Sequence, residues 1–307
     1  MEIRTLDYHA AGEPLRIVTA GLPAIEGASM LARRRFMQER LDHFRRLLML
    51  EPRGHADMYG AVLTPPASED GDFGVLFLHN DGYSTMCGHG IIALVTAGIE
   101  HGLFDAKDAG RIRIDTPAGR IVARAVQGAG GRVESVSFTN VPSFVLSDGV
   151  EARWSGHSVP ITIAFGGAFY AYVDARELGF EVVPAEATEL IQAGRAIKAA
   201  VSARCDIRHP QGGEDLNFLY GTIFVRERKE PRRSRNACIF ADGELDRSPT
   251  GTGVSGRAAI HYARGEIGLG ETLTIESIIG TVFEVRCLQE TSVGGLAAVI
   301  PEVTGSA

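Results

Sequence analysis

No stretch of this 307-residue chain approaches the roughly 18 uninterrupted apolar residues of a membrane-spanning helix. The first residues, Met1-Glu2-Ile3-Arg4-Thr5-Leu6-Asp7, lack the apolar core of a secretory signal. Both absences point to the cytoplasm. Positive charge is also short: 31 Lys and Arg face 38 Asp and Glu, a formal net charge of -7. A nucleic-acid partner normally needs a clustered basic excess, so that class is disfavoured. The densest basic stretches, Arg33-Arg34-Arg35 and residues 226–235, are short and read as solvated faces or loops.

Cysteine is scarce and scattered. Cys87, Cys205, Cys238 and Cys287 form no C-x-x-C pair and no His/Cys cluster at metal-ligand spacing. A disulfide framework and a structural metal site are thereby excluded, and each cysteine is either a small buried hydrophobe or a reactive thiol. Nucleotide signatures are missing too. Gly88-His89-Gly90 does not extend to G-x-G-x-x-G, and Gly251-Thr252-Gly253 is followed by Val254-Ser255 without a P-loop lysine.

What is present suits a globular enzyme of mixed α/β architecture, with 45% hydrophobic and 22% charged residues. The length is about twice that of a usual single domain, so two domains are expected. Apolar residues recur at helical spacing over residues 29–50, and a second helix is predicted over 185–204. Most other periodic segments alternate as strands: 61–63, 73–78, 111–115, 120–125, 133–139, 158–165, 169–173, 219–226, 237–241, 272–277, 281–287 and 296–300. So few helices argue against a regular βαβ array.

One element recurs. Cys87-Gly88-His89-Gly90 opens a small-residue helical stretch that runs to Gly102, and Thr250-Gly251-Thr252-Gly253 opens another that runs to Gly265. The two starts are 163 positions apart, close to half the chain, as a duplicated domain requires. A glycine-rich turn entering a helix presents unpaired backbone N–H groups and the positive end of the helix dipole. Such an end suits a carboxylate, and the same field favours a thiolate at Cys87. If both helix starts face one cleft, a small carboxylate can be enclosed with Cys87 aimed at the adjacent carbon, the geometry of proton abstraction. The competing reading of Cys87 is a buried structural thiol beside a turn. Cys205, Cys238 and Cys287, in or beside ordinary helix or strand runs, read as structural.

These residues resemble the proline racemase family, which shares the diaminopimelate epimerase fold. The resemblance is carried by five ordered blocks: Asp7-Tyr8-His9-Ala10-Ala11-Gly12-Glu13-Pro14-Leu15-Arg16, Glu51-Pro52-Arg53-Gly54-His55-Ala56-Asp57-Met58, Met86-Cys87-Gly88-His89-Gly90, Gly167-Ala168-Phe169-Tyr170-Ala171 and Asp246-Arg247-Ser248-Pro249-Thr250-Gly251-Thr252-Gly253. It implies two pseudo-symmetric α/β domains, each a curved mixed sheet around a central helix. The first is expected over 1–130, with residues 293–307 returning to it, and the second over 131–292.

The family's racemases and epimerases carry a thiol at both helix starts. Here the second is Thr250, which resembles the Cys/Thr pattern of trans-3-hydroxy-L-proline dehydratases. The resemblance implies that Cys87 removes the α-proton and that Gly88, His89, Gly251 and Thr252 hold the substrate carboxylate. Asp246 faces the ring nitrogen, or alternatively serves as a turn residue. Thr250 either hydrogen-bonds the departing hydroxyl or fills the place of the second thiol. No metal, flavin or pyridoxal phosphate is implied, and family members are often homodimers. Two other readings stay open: a proline or hydroxyproline racemase or epimerase, and a non-catalytic amino-acid binder. A binder would need the N–H groups but not the thiol.

Overall fold

The computed structural model describes residues 1–108 and 110–307. The chain divides into two compact units, Met1–Thr139 with Thr304–Ala307, and Asn140–Val303.

The first unit opens with an antiparallel hairpin of β1 (Arg4–Ala10) and β2 (Glu13–Ala20). Ala11 and Gly12 at its turn both take positive φ, 51° and 94°, the twist that a two-residue hairpin favours. After α1 (Met30–Arg40) and α2 (Asp42–Met49) come β3 (Tyr59–Thr64), β4 (Phe73–His79) and β5 (Tyr83–Ser84). Then follow α3 (Gly88–His101), β6 (Ile112–Thr116), β7 (Gly119–Gln127) and β8 (Val133–Thr139). Every residue of β4 is buried, as a strand flanked by β3 and β6 and covered on both faces demands. Residues 88–98 of α3 are buried as well, and the helix packs against β1, β2, β3, β7 and β8. A helix apolar on all sides belongs in an interior.

The second unit comprises β9 (Ser143–Trp154), β10 (His157–Phe165), β11 (Phe169–Asp174), α4 (Ala187–Ser202) and β12 (Leu219–Glu227). It continues with β13 (Arg233–Phe240), β14 (Glu244–Asp246), α5 (Gly251–Ala263), β15 (Thr272–Glu276), β16 (Val282–Val293) and β17 (Leu296–Gly305). Here α5 takes the interior place, buried over residues 251–260 and packed on β9, β10 and β16.

The pairing of the first unit repeats in the second with every strand number raised by nine. β1–β2 and β10–β11 are antiparallel, β2–β3 and β11–β12 parallel, β3–β4 and β12–β13 antiparallel. β4–β6 and β13–β15 are again parallel, and β6–β7 and β15–β16 antiparallel. The interior helix follows β5 in one unit and β14 in the other. Each unit is thus a mixed sheet with a central helix, the diaminopimelate epimerase-like arrangement.

The boundary expected at 130 falls at 139, because β8 stays in its ladder with β7, and only residues 304–307 return. β17 starts by pairing with β9 instead. The helix predicted over 29–50 is broken at Leu41, whose φ of −125° and ψ of 12° leave the helical region. The Tyr83 hydroxyl lies at that joint, 3.3 Å from the Met37 carbonyl and 3.2 Å from the Asp42 carboxylate. The break lets Met37 and Leu48 both enter a core cluster with Val62, Leu76 and Leu78. Strand β9 has no counterpart among the predicted segments, since Asp148-Gly149 interrupts its pattern. Among the described residues, no helix is long and apolar enough to cross a membrane.

Gly166, between β10 and β11, seats the first turn of α5. A Cβ there would run into the Thr252 carbonyl and come within 2.7 Å of the Gly256 nitrogen, both backbone atoms. Asn140 closes this seat, donating to the Gly166 carbonyl and to Ser255 Oγ at 2.8 Å each. Gly166→Ala is therefore expected to cost roughly 2–3 kcal/mol, read as a lower urea midpoint at an unchanged slope.

Candidate active site

Cys87 is the N-cap of α3, with extended backbone (φ −143°, ψ 112°) and 5% exposure. Its sulfur accepts from the Gly90 amide at 3.3 Å, and the His89 ring places Nδ1 3.2 Å and Nε2 3.6 Å away. Gly90 is required by this packing: a Cβ would stand 2.6 Å from the Phe77 ring and 3.0 Å from Sγ. His89 is 3% exposed and meets the Tyr59 ring edge-on at 4.8 Å. The Tyr59 hydroxyl in turn donates to Ser84 Oγ at 2.5 Å. Cys87, Gly88 and His89 are therefore one assembly, with a sulfur facing an amide donor and an imidazole. The amide contact favours the negatively charged form of sulfur, and the imidazole adds to it in the tautomer that donates to sulfur.

At the start of α5, Thr250 occupies the corresponding N-cap with a different conformation. Its φ is 69°, a left-handed value that a β-branched residue adopts only under constraint, at a cost on the order of 1–3 kcal/mol. The Thr250 side chain makes no cap bond to the helix. Its hydroxyl donates to Asp246 Oδ2 at 2.8 Å, while its own amide donates to Ser248 Oγ at 3.1 Å. Asp246 Oδ1 accepts from the Ser248 amide at 2.7 Å. Asp246 is therefore a turn residue, as one reading of its sequence context has it, with its second carboxylate oxygen on the Thr250 hydroxyl.

Asp246 is 4% exposed, and burial pushes its pKa up from 3.8 to about 6, against the lowering effect of the Ser248 and Thr250 hydrogen bonds. Gly251 and Thr252 complete the turn. Thr252 is 2% exposed, and its hydroxyl lies 2.7 Å from the Tyr170 hydroxyl. Gly253 matches Gly90, since a Cβ there would stand 2.5 Å from Ile223. Asp246, Thr250, Gly251 and Thr252 are thus brought together within the second unit. Sequence reasoning left Ser248 and Tyr170 without a role; the only signal was their membership of the Asp246-to-Gly253 and Gly167-to-Ala171 blocks.

Of the other cysteines, Cys238 is the ladder partner of Asp246 on the neighbouring strand. Cys238 and Cys287 are fully buried, and desolvation pushes Cys287 up to about 11, away from thiolate chemistry. A cavity of about 510 Å³ in the second unit opens beside Arg257 and His261 rather than at Thr250.

The family model described as proline racemase matches residues 5–307. The chain belongs to the proline racemase family. Within that family it is 48% identical to a trans-3-hydroxy-L-proline dehydratase of Colwellia psychrerythraea, over 100% of this chain and 87% of that relative. It is also 48% identical to a 3-hydroxyproline 2-epimerase of Burkholderia multivorans, over 99% of this chain and 91% of the relative. The crystal structure of a hydroxyproline epimerase from Agrobacterium vitis with bound trans-4-hydroxy-L-proline superposes with a TM-score of 0.92. Its identity is 31%, over 99% of this chain and 89% of that one.

The raised pKa of Asp246 has a signed consequence. Between its unfolded pKa of 3.8 and its folded value of about 6, the folded state holds more protons than the unfolded one, so this group's contribution to stability falls as pH rises. Asp246→Asn does not titrate. Its stability relative to the wild type should rise by up to about 3 kcal/mol between about pH 4 and pH 7 in urea titrations. A flat difference would contradict the buried-carboxylate assignment.

Proposed function

We infer that this enzyme dehydrates trans-3-hydroxy-L-proline to Δ1-pyrroline-2-carboxylate, with Cys87 as the base that takes the α-proton. The observation that carries this reading is Thr250, at the helix start where the family's racemases and epimerases have their second thiol. A hydroxyl is far too weak an acid to exchange an α-proton in the role of a thiol. One strong base can open the α-carbon but cannot return a proton to the opposite face.

The chemistry then follows from the substrate. Cys87, supported by the Gly90 amide and His89, accepts the α-proton. Charge developing on the α-carbon is spread into the carboxylate, held by the amides of Gly88 and His89 and of Gly251 and Thr252. The cationic ring nitrogen faces Asp246, whose carboxylate keeps lone pairs beyond those used by Ser248 and Thr250. The hydroxyl on the β-carbon, cis to the α-hydrogen in this substrate, leaves on the Cys87 face as water, taking its proton from the newly formed Cys87 thiol, while Thr250 fills the place of the second thiol. The enamine left behind tautomerises to the cyclic imine. No step calls on a group that the polypeptide lacks.

The equal similarity of a 3-hydroxyproline 2-epimerase supports a second reading, epimerisation at the α-carbon. Under it, water or another group must replace the second thiol. Purified protein incubated in deuterated water with trans-3-hydroxy-L-proline, trans-4-hydroxy-L-proline and L-proline separates the two by NMR. Pyrroline carboxylate from the 3-hydroxy compound alone is the expected result, and a 2-epimer as the main product would overturn it. Cys87→Ala should lower turnover by about 10³-fold or more with the thermal midpoint retained.

Thr250→Cys restores the second thiol. It should divert part of the trans-3-hydroxy-L-proline flux into the 2-epimer, detected by chiral chromatography.

A further inference from the structure

Asn236, on β13, is fully buried and stands between two groups of fixed polarity. On one side Arg257 Nη1, which can only donate, reaches Oδ1 at 2.9 Å. On the other, the Pro249 carbonyl, which can only accept, receives Nδ2 at 3.4 Å. The chemistry of its neighbours leaves one orientation for the amide.

Arg257 is anchored in turn. It lies on α5, 3% exposed, with Nη2 2.7 Å from Glu227 Oε1 and 2.7 Å from His261 Nε2. Because a guanidinium only donates, His261 Nε2 is the acceptor, and its Nδ1 hydrogen goes to Glu266. Hydrogen bonds therefore run in one direction, from Arg257 through Asn236 to the Pro249 carbonyl.

That carbonyl belongs to the peptide whose rotation about the Thr250 N–Cα bond is φ. Fixing its direction fixes the left-handed φ of 69° that turns the Thr250 side chain away from the helix and toward Asp246. Ser248 holds the amide side of the same peptide through Thr250 N. Asn236 holds the carbonyl side.

We propose that Asn236 and Arg257 are positioning residues, which hold the Pro249–Thr250 peptide so that the Thr250 hydroxyl stays on Asp246 at the substrate's ring nitrogen. This rests on the dehydratase reading of Thr250. Neither side chain touches the reacting atoms; both act through Thr250.

Asn236→Asp tests it, because the new side chain still accepts from Arg257 but presents an acceptor to an acceptor at Pro249. The kcat for water loss should fall about tenfold, with KM changed less than about threefold. On a Thr250→Val background the same substitution should change the rate by less than about twofold. An equal tenfold loss on both backgrounds would overturn the proposal.

Arg257→Lys, which keeps the charge and loses the fork, carries the same cycle if Asn236→Asp does not fold. Failure of both to fold would assign the pair to stability and refute positioning. The wild-type control keeps the two readings distinct. Absence of water loss from trans-3-hydroxy-L-proline sinks the dehydratase, whereas coupling between positions 236 and 250 is read from α-deuteration of whichever proline the wild type turns over.

Discussion

Two helices in this protein begin inside it rather than on its surface. The first turns of α3 and α5 are buried, and a buried helix start presents N–H groups that no preceding turn can satisfy. Either side chains or an anion must meet them. Much of the local sequence answers to this constraint. The first turns are rich in glycine because Phe77 and Ile223 stand where a Cβ at Gly90 or Gly253 would go. Strands wrap both helices because an apolar helix needs cover on every side.

The duplicated scaffold carries unlike chemistry at its two matched positions. At Cys87 the backbone is extended and the sulfur caps its own helix, so side chain and helix cooperate. Thr250, at the matched position, has left-handed backbone and a hydroxyl turned to Asp246. The first-turn amides of α5 therefore receive no cap from it. One copy holds a thiol in a field that favours negative charge. The other holds a neutral hydroxyl against a carboxylate.

Much of this was legible in the sequence, and the limits are physical. Alternation located most strands, because β-sheet burial has a period of two, and the paired Gly-rich starts 163 positions apart revealed the duplication. Cys87 stood out because its neighbours are small and its place is a helix entry. The break at Leu41 was not legible, since no glycine or proline marks it and Tyr83 arrives from a distant strand. Strand β9 escaped because Asp148-Gly149 looks like a loop, and its ladder with β10 absorbs two register shifts there. Contacts such as Tyr170 with Thr252, 82 positions apart, and Arg257 with Asn236, 21 apart, have no signature in local pattern. The family resemblance supplied Asp246, whereas the raised pKa that burial gives it is visible only in the fold.

The difference between the two helix starts also explains where the cost of the site falls. A thiolate carries charge, and charge can be steadied by dipoles and donors that the helix already provides, so Cys87 needs no unusual backbone. A neutral hydroxyl gains little from the same field and must be held by geometry. The second unit bears that cost in a left-handed β-branched residue and a buried carboxylate with raised pKa. Such features persist only where the surroundings over-determine them, and here Ser248, Asp246 and Asn236 grip the Pro249–Thr250 segment from three directions. Strain concentrated at one residue of the second unit is thus held by its local hydrogen bonds rather than by the helix it begins.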